Sequence, residues 1–347
     1  MVITIEPTHT QISLFGFFQQ PAAILITVEC LLRFIGEARK PRILMFGEKL
    51  DKQSVDTKRI TFVTGGSGFT GSRIIQSSNS NIRALVHNHE VAGSNITKVY
   101  GSLFDGKSNF RKWLHGVNYV IHAARPSSGK ALGRYFMANR TRKAVKSMIS
   151  VIEESSVSST IVLHGSLSYG DRGEEIVETD SKLNPKGYSK AYSIGEKPWI
   201  EYLEHGGDVK IVRCPWILGP GSWFNMLYAG DTIPIIDGGR QWMSLVSINS
   251  LSDFVWSLFD QKPGIFHPSL TYRCRQADFA RLVAEARGMD TTSVSKSELI
   301  KKYGRMVTES LLCSIRVDDS RGVESESDLS MQNIGSYLHS LSLDSKI

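Results

Sequence analysis

Between Arg59 and Arg213 short apolar runs alternate with longer stretches in which apolar positions recur every three to four residues. Runs rich in Ile, Val and Thr predict strands at Ile60–Thr64, Ile82–His87, Lys98–Tyr100, Tyr119–His122, Thr160–Leu163 and Val209–Arg213. Helical spacing fits Phe69–Gln76, Phe110–Leu114, Ala131–Glu154 and Tyr188–His205. Strands alternating with helices predict βαβ units. Right-handed crossovers then give an α/β fold with a doubly wound parallel sheet and ligands at the carboxyl ends of its strands. Past Pro215 the alternation loosens, and Gly, Trp and Pro gather between Gly219 and Gly239. A small carboxy-terminal substrate lobe is expected over 215–347, using a helix at Gln276–Arg287. The sheet domain is expected over 58–214, completed by later segments. The stretch after Gly288 is polar and weakly periodic.

Residues 1–57 follow another pattern and are set apart as an amino-terminal extension. Met1–Val28 contain no Lys or Arg. That argues against a secretory signal and against an Arg-rich transit peptide. Glu29 and Arg33 interrupt the apolar run Ala22–Ile35, which falls short of the roughly 20 apolar residues of a membrane span. A helix carrying Ile24, Leu25, Val28, Leu31, Leu32 and Ile35 as one stripe is expected instead. Its partner is left open between the body, a membrane surface met through residues 1–36, and another chain.

The chain of 347 residues suits one large α/β domain with a lobe. With 41% apolar and 22% charged residues, disorder and coiled coil are excluded as the main state. Cys30, Cys214, Cys274 and Cys313 form no CxxC pair. A disulfide scaffold is therefore not expected, and a reducing, cytoplasmic setting is. The charge of +7 is spread along the chain, which points to an anionic small molecule and not to nucleic acid. The nine histidines show no HxxxH or HExxH, so no metal is expected.

The strongest chemical signal is Thr64-Gly65-Gly66-Ser67-Gly68-Phe69-Thr70-Gly71, set between a predicted strand and a predicted helix. Gly65 permits a tight turn. Gly68 lets backbone approach a pyrophosphate, and Gly71 lets helix and strand pack closely. The helix amides near Phe69 and Thr70 would face the anion. Gly65, Ser67, Gly68, Phe69, Thr70 and Gly71 are thus candidate cofactor-binding residues of a Rossmann turn.

This turn resembles the TGxxGxxG of the extended branch of the short-chain dehydrogenase/reductase superfamily. That branch includes nucleotide-sugar epimerases and dehydratases, 3β-hydroxysteroid dehydrogenases and dihydroflavonol-type reductases. Four later stretches agree in the family's order. Gly101-Ser102-Leu103-Phe104-Asp105 resembles GDLxD, and Val120-Ile121-His122-Ala123-Ala124 resembles VIHxAA. Ser168-Tyr169-Gly170-Asp171 resembles VYGD, and Arg213 to Gly221 resembles RPxxVxGPG. The resemblance covers Arg59 to Arg287. It implies Ser102 and Leu103 beside adenine, Ala123 and Ala124 along the cofactor, and Pro215 at the crossing into the lobe. It also implies an NAD(P)-dependent oxidoreductase, epimerase or dehydratase working by hydride transfer on a sugar nucleotide, steroid or other ketone. Helix-pair homodimers are common in that family. A cofactor without a 2′-phosphate usually meets an acid at the end of the second strand, and none stands at 83–89. Arg83 and His87 would suit a 2′-phosphate, so NADP is expected ahead of NAD.

The resemblance further implies a catalytic Tyr, a Lys four residues on along the same helix face, and an upstream Ser or Thr. A free tyrosine titrates near 10, and a neighbouring cation favours its phenolate. Aligning Glu196-Lys197 with the family's closing AEK makes Tyr188 the acid/base and puts Tyr192 in the lysine's place. Lys190, two residues on, should face elsewhere. Gly165 falls at the hydroxyl position, with Ser166 one residue away. Trp216, Trp223 and Phe224 are expected to flank a pocket for a flat or apolar substrate, with Arg125 and Ser127 facing it. Two functions follow. One is an enzyme using Tyr188 and Ser166. The other is a dinucleotide-binding protein that has lost its catalytic set and serves as sensor, scaffold or partner subunit.

Overall fold

Strand β1 (Ile60–Thr64) is a β-branched run buried almost throughout, which suits a central parallel strand covered on both faces. The computed structural model describes residues 59–93, 95–125, 128, 131–268, 272–318 and 333–344. The amino-terminal extension, its expected helix at 24–35 and Ser127 lie outside them.

After β1 come α1 (Phe69–Gln76), β2 (Asn81–Val86), β3 (Ile96–Tyr100), α2 (Lys107–Leu114), β4 (Tyr119–His122) and α3 (Ala131–Glu153). Next are β5 (Ser159–Gly165), the two-residue β6 (Ile176–Val177), α4 (Ser189–Glu204) and β7 (Val209–Cys214). The lobe begins with β8 (Trp216–Leu218), α5 (Trp223–Tyr228), β9 (Ile233–Ile236), β10 (Trp242–Ser247) and α6 (Ile248–Ser257). Then follow β11 (Gly264–Phe266), β12 (Tyr272–Arg275), α7 (Gln276–Arg287), β13 (Thr291–Val294) and α8 (Lys296–Tyr303). The last elements are α9 (Arg305–Leu311), β14 (Arg316–Val317) and α10 (Ile334–Asp344).

The main sheet has seven strands in the order β11-β7-β5-β4-β1-β2-β3, every pair parallel. The order reverses between β1 and β4, so a crevice opens there at the strands' carboxyl ends. One face packs on α2, α3 and α4 through Phe62, Phe110, Trp113, Met148 and Trp199. The other packs on α1 and α6 through Val63, Ile74, Ile121, Leu251 and Phe254. The seventh strand, β11, comes from beyond Pro215.

Three small pairings organise the lobe: the sheet β12-β10-β8, the pair β13-β9 and the pair β14-β6. Its core packs Phe279 edge-on against Phe224 and Tyr228, whose own rings are tilted to each other. The polar stretch after Gly288 folds into β13, α8, α9, β14 and α10, more regularly than its weak period predicts. One signal was available there. Ser295 and Glu298 form a reciprocal capping box at the start of α8. The described residues make up one compact unit.

Candidate active site

The chain leaves β1 at Thr64 and turns through Gly65, whose φ of +76° favours glycine. A Cβ at Gly65 would stand 2.6 Å from the Ala124 amide nitrogen, and one at Gly71 would run into the Gly65 carbonyl. The Gly68 amide donates to the Gly65 carbonyl at 3.0 Å, closing the turn. Gly68 caps α1 without a side-chain bond. The first amides of the helix, at Phe69, Thr70 and Gly71, therefore meet no capping side chain and suit an anion. At Gly68 a Cβ would touch only the Gly65 carbonyl, at 3.3 Å. The cradle thus fits a dinucleotide's pyrophosphate, and the two glycines separate in experiment. Gly71→Ala is expected to lower Tm by several degrees, since overpacking costs about 1–3 kcal/mol. Gly68→Glu is expected to keep Tm yet abolish NADPH binding, because its side chain enters the cleft. Thermal melts with and without NADPH read both.

A cleft of about 770 Å³ opens from this cradle. Gly65, Ser67, Gly68, Phe69, Thr70 and Gly71 form its floor. His87, Ser102 and Leu103 line the side at β2 and β3, and Ala123 and Ala124 the end of β4. Ser166, Pro215, Trp216 and Trp223 line the lobe side. Asn88 also faces the cleft, a residue that sequence reasoning left out. Asp105 holds the loop at Ser102, accepting from its amide at 2.8 Å.

Contrary to expectation, Arg83 does not line the cleft. Its guanidinium donates to the carbonyls of Trp113 and His115, each at 2.7 Å, and caps the carboxyl end of α2. It shares a strand face with His87 but sits four residues earlier, roughly 13 Å back from the cleft. Phe224 is likewise core, 2% exposed. Trp216 and Trp223 stand at the cleft with ring centroids 4.5 Å apart.

The catalytic positions are distributed unevenly. Ser166 is buried against the cleft, in the short turn after β5, and Gly165 lines the cleft beside it. Tyr188 caps the start of α4, and its amide donates to Ser310 Oγ at 3.0 Å. It is not among the residues lining the cleft. Its ring stacks on Tyr192 at 6.3 Å, with the Arg134 guanidinium 4.6 Å from its centre. Tyr192 lines a water-sized cavity of about 30 Å³ that shares Ala124, Arg125 and Leu163 with the cleft. Lys190 pairs with Glu309 at 3.5 Å and Lys197 with Glu201 at 3.8 Å, both on the protein surface.

Behind this wall lies a buried polar network. Glu196 and Arg213 form an ion pair with side chains 1% and 0% exposed. Ser168 donates to Glu196 at 3.3 Å, and His164 Nδ1 lies 3.5 Å from the same carboxylate. Burial raises the Glu196 carboxyl against the pull of Arg213. Burial, with the charges of Arg213 and Arg125, holds His164 well below its ordinary range. His122 is bonded to Thr64 Oγ1 at 2.7 Å, and burial pushes it down to about 3. Among the described residues no cluster of His, Cys, Asp and Glu could hold a metal. Among them no helix is long and apolar enough to cross a membrane.

A family model described as "NAD dependent epimerase/dehydratase family" matches residues 61–268. No curated protein sequence matches the chain. Among solved structures it resembles the dTDP-glucose 4,6-dehydratase DesIV from Streptomyces venezuelae with NAD bound. The TM-score is 0.66 at 16% identity, covering 83% of this chain and 97% of that one. It also resembles a UDP-N-acetylglucosamine 4-epimerase from Methanobrevibacter ruminantium M1, at TM-score 0.65 and 14% identity, covering 84% and 100%. A human epimerase family protein with NADPH aligns at TM-score 0.65 and 14% identity, covering 82% and 99%. At these identities the likeness is one of fold.

Proposed function

The chain belongs to the NAD dependent epimerase/dehydratase family, a family of enzymes, and on that premise we propose that it is an epimerase or dehydratase acting on a sugar nucleotide. One observation carries this. A continuous cleft runs from the glycine cradle to Trp216 and Trp223 of the lobe. Its volume of about 770 Å³ falls within the range of small-molecule sites, which is about 300–1,000 Å³. The similar dTDP-glucose dehydratase and UDP-N-acetylglucosamine epimerase support the substrate class. A steroid or other apolar ketone is the next class, favoured by the tryptophan wall.

The glycine turn would hold the pyrophosphate, Leu103 would lie beside adenine, and Ala123 and Ala124 along the cofactor. His87 and Asn88, with no carboxylate at the end of β2, support NADP(H). A dinucleotide held there would supply hydride transfer to and from the substrate's carbinol carbon. The chain's own share is the proton. Tyr188, or Tyr192 stacked on it at the adjoining cavity, would give or take it at the substrate oxygen, and the Ser166 hydroxyl would donate a hydrogen bond to that oxygen.

The test is turnover of dTDP-glucose and UDP-N-acetylglucosamine with NAD⁺ and NADP⁺, beside titration of NADH and NADPH. Tyr188→Phe is expected to lower kcat about 10²–10⁴-fold with NADPH affinity unchanged. If the loss follows Tyr192→Phe instead, the proton belongs to Tyr192, the tyrosine that lines the adjoining cavity. A wild type that binds NADPH and turns nothing over supports the sensor or scaffold reading, which Tyr192 in the lysine's place favours.

A further inference from the structure

Two positions depart from the catalytic set that the family resemblance implies: Gly165 for the hydroxyl residue and Tyr192 for the lysine. One side chain reaches both. The Arg125 guanidinium lies 4.8 Å from the centre of the Tyr192 ring. Its Nη2 lies 3.8 Å from the point that a Cβ at Gly165 would occupy. Arg125 follows β4 directly after Ala124 and lines both the cleft and the small cavity beside it. It is an exposed residue. Arg134, the other guanidinium over this tyrosine pair, donates to the Ser128 carbonyl at 2.8 Å and contacts Met306 Sδ.

We propose that Arg125 is the cationic catalytic residue of this enzyme, donating N–H bonds to the reacting oxygen of the substrate in place of the missing lysine and beside the Ser166 hydroxyl. The proposal rests on the enzymatic reading above. A guanidinium is permanently charged and presents up to five donors in a planar fork. It gives up no proton at neutral pH, so it does not replace the tyrosine. The substrate's hydroxyl proton still passes to or from a tyrosine, and Arg125 stays chemically unchanged. Its part is to stabilise negative charge as it gathers on the oxygen. Its place over the Tyr192 ring holds the guanidinium at the cavity before substrate arrives. A lysine at 192 would set a like charge against that fork. Glycine at 165 leaves the fork's edge open to the substrate. Arginine at 125, tyrosine at 192 and glycine at 165 are thus parts of one arrangement.

The experiment assays wild type, Arg125→Ala and Arg125→Ala combined with Gly165→Ser and Tyr192→Lys, using dTDP-glucose and UDP-N-acetylglucosamine. A Cβ at 165 meets nothing closer than 3.8 Å, so the serine fits. Arg125→Ala is expected to lower kcat at least 100-fold while KM moves less than about fivefold. Its Tm and its NADPH affinity, read by fluorescence titration, should stay those of the wild type. Added methylguanidinium should restore at least tenfold of the loss, and the combined variant should regain a similar factor. An unchanged kcat, a rise in KM alone, or a loss that neither rescue repairs overturns the proposal. A wild type inactive on both sugars while binding NADPH overturns the enzymatic reading and the role of Arg125 with it. An active wild type with an unaffected Arg125→Ala overturns Arg125 alone.

Discussion

Between pH 6.5 and about 4 the protein is expected to lose a large part of its stability. Three buried or largely buried imidazoles carry the effect. Burial holds His122 near 3 and His267 near 4, and His164 lies well below its ordinary value. His267 accepts or donates at 2.9 Å with the Tyr169 hydroxyl and at 3.0 Å with the Asp318 carbonyl. A carbonyl only accepts, so Nδ1 carries the proton and Nε2 accepts from the tyrosine. Protonating Nε2 removes that acceptor. In the unfolded chain each histidine titrates near 6.5. The unfolded state therefore takes up more protons as pH falls, and stability falls with it. The contribution is complete above 6.5, and its loss ends only near 4 for His267 and near 3 for His122. At pH 4.5 His122 and His267 each cost about 2–3 kcal/mol, against a typical total of roughly 5–15 kcal/mol, and His164 adds to the loss in the same direction. Urea melts from pH 7.5 to 4 measure it. A midpoint unmoved between pH 6.5 and 5 would sink the argument.

Breaking the buried ion pair is the second large effect. Glu196→Ala should lower stability by about 3–5 kcal/mol, because it leaves the Arg213 cation buried without its carboxylate. Tm should fall by roughly 10 °C. The paired change Glu196→Met with Arg213→Met should cost much less, since both charges leave together. The comparison is read in thermal melts of the three proteins. If the single variant loses under about 1 kcal/mol, the pair is not held in the folded state as described.

Both residues lay inside stretches that sequence reasoning had singled out, yet the pair was invisible there. Glu196 read as part of the family's closing AEK and Arg213 as the start of a motif. Only packing of α4 beneath β7 brings them together. The sheet was legible because its strands are β-branched runs closed by turns, and β1 and β4 match their expected bounds. The glycine turn was legible because a steric need fixes residue type at each position. Two-residue strands such as β6 and β14 carry no period and could not be read. Arg83 was misplaced because residue type reports charge, whereas distance along a strand decides which group that charge meets. Arg125 was placed at the pocket, but its position over Tyr192 depends on the loop after β4 meeting α4.

The pairing of β14 with β6 sets an order on folding during synthesis. Arg316–Val317 lies beside Ile176–Val177, and the Asp318 amide donates to the Val177 carbonyl at 2.8 Å. Likewise β11 must emerge before the far edge of β7 is covered. A ribosome that has released the chain only as far as Cys214 presents β7, buried along its whole length in the finished protein, as an open edge. Unpaired strand edges recruit other strands. The nascent chain is thus exposed to misassembly until its final segments arrive, and contacts of such long sequence separation form slowly. Engagement by a chaperone should concentrate on chains longer than Cys214 and shorter than Val317.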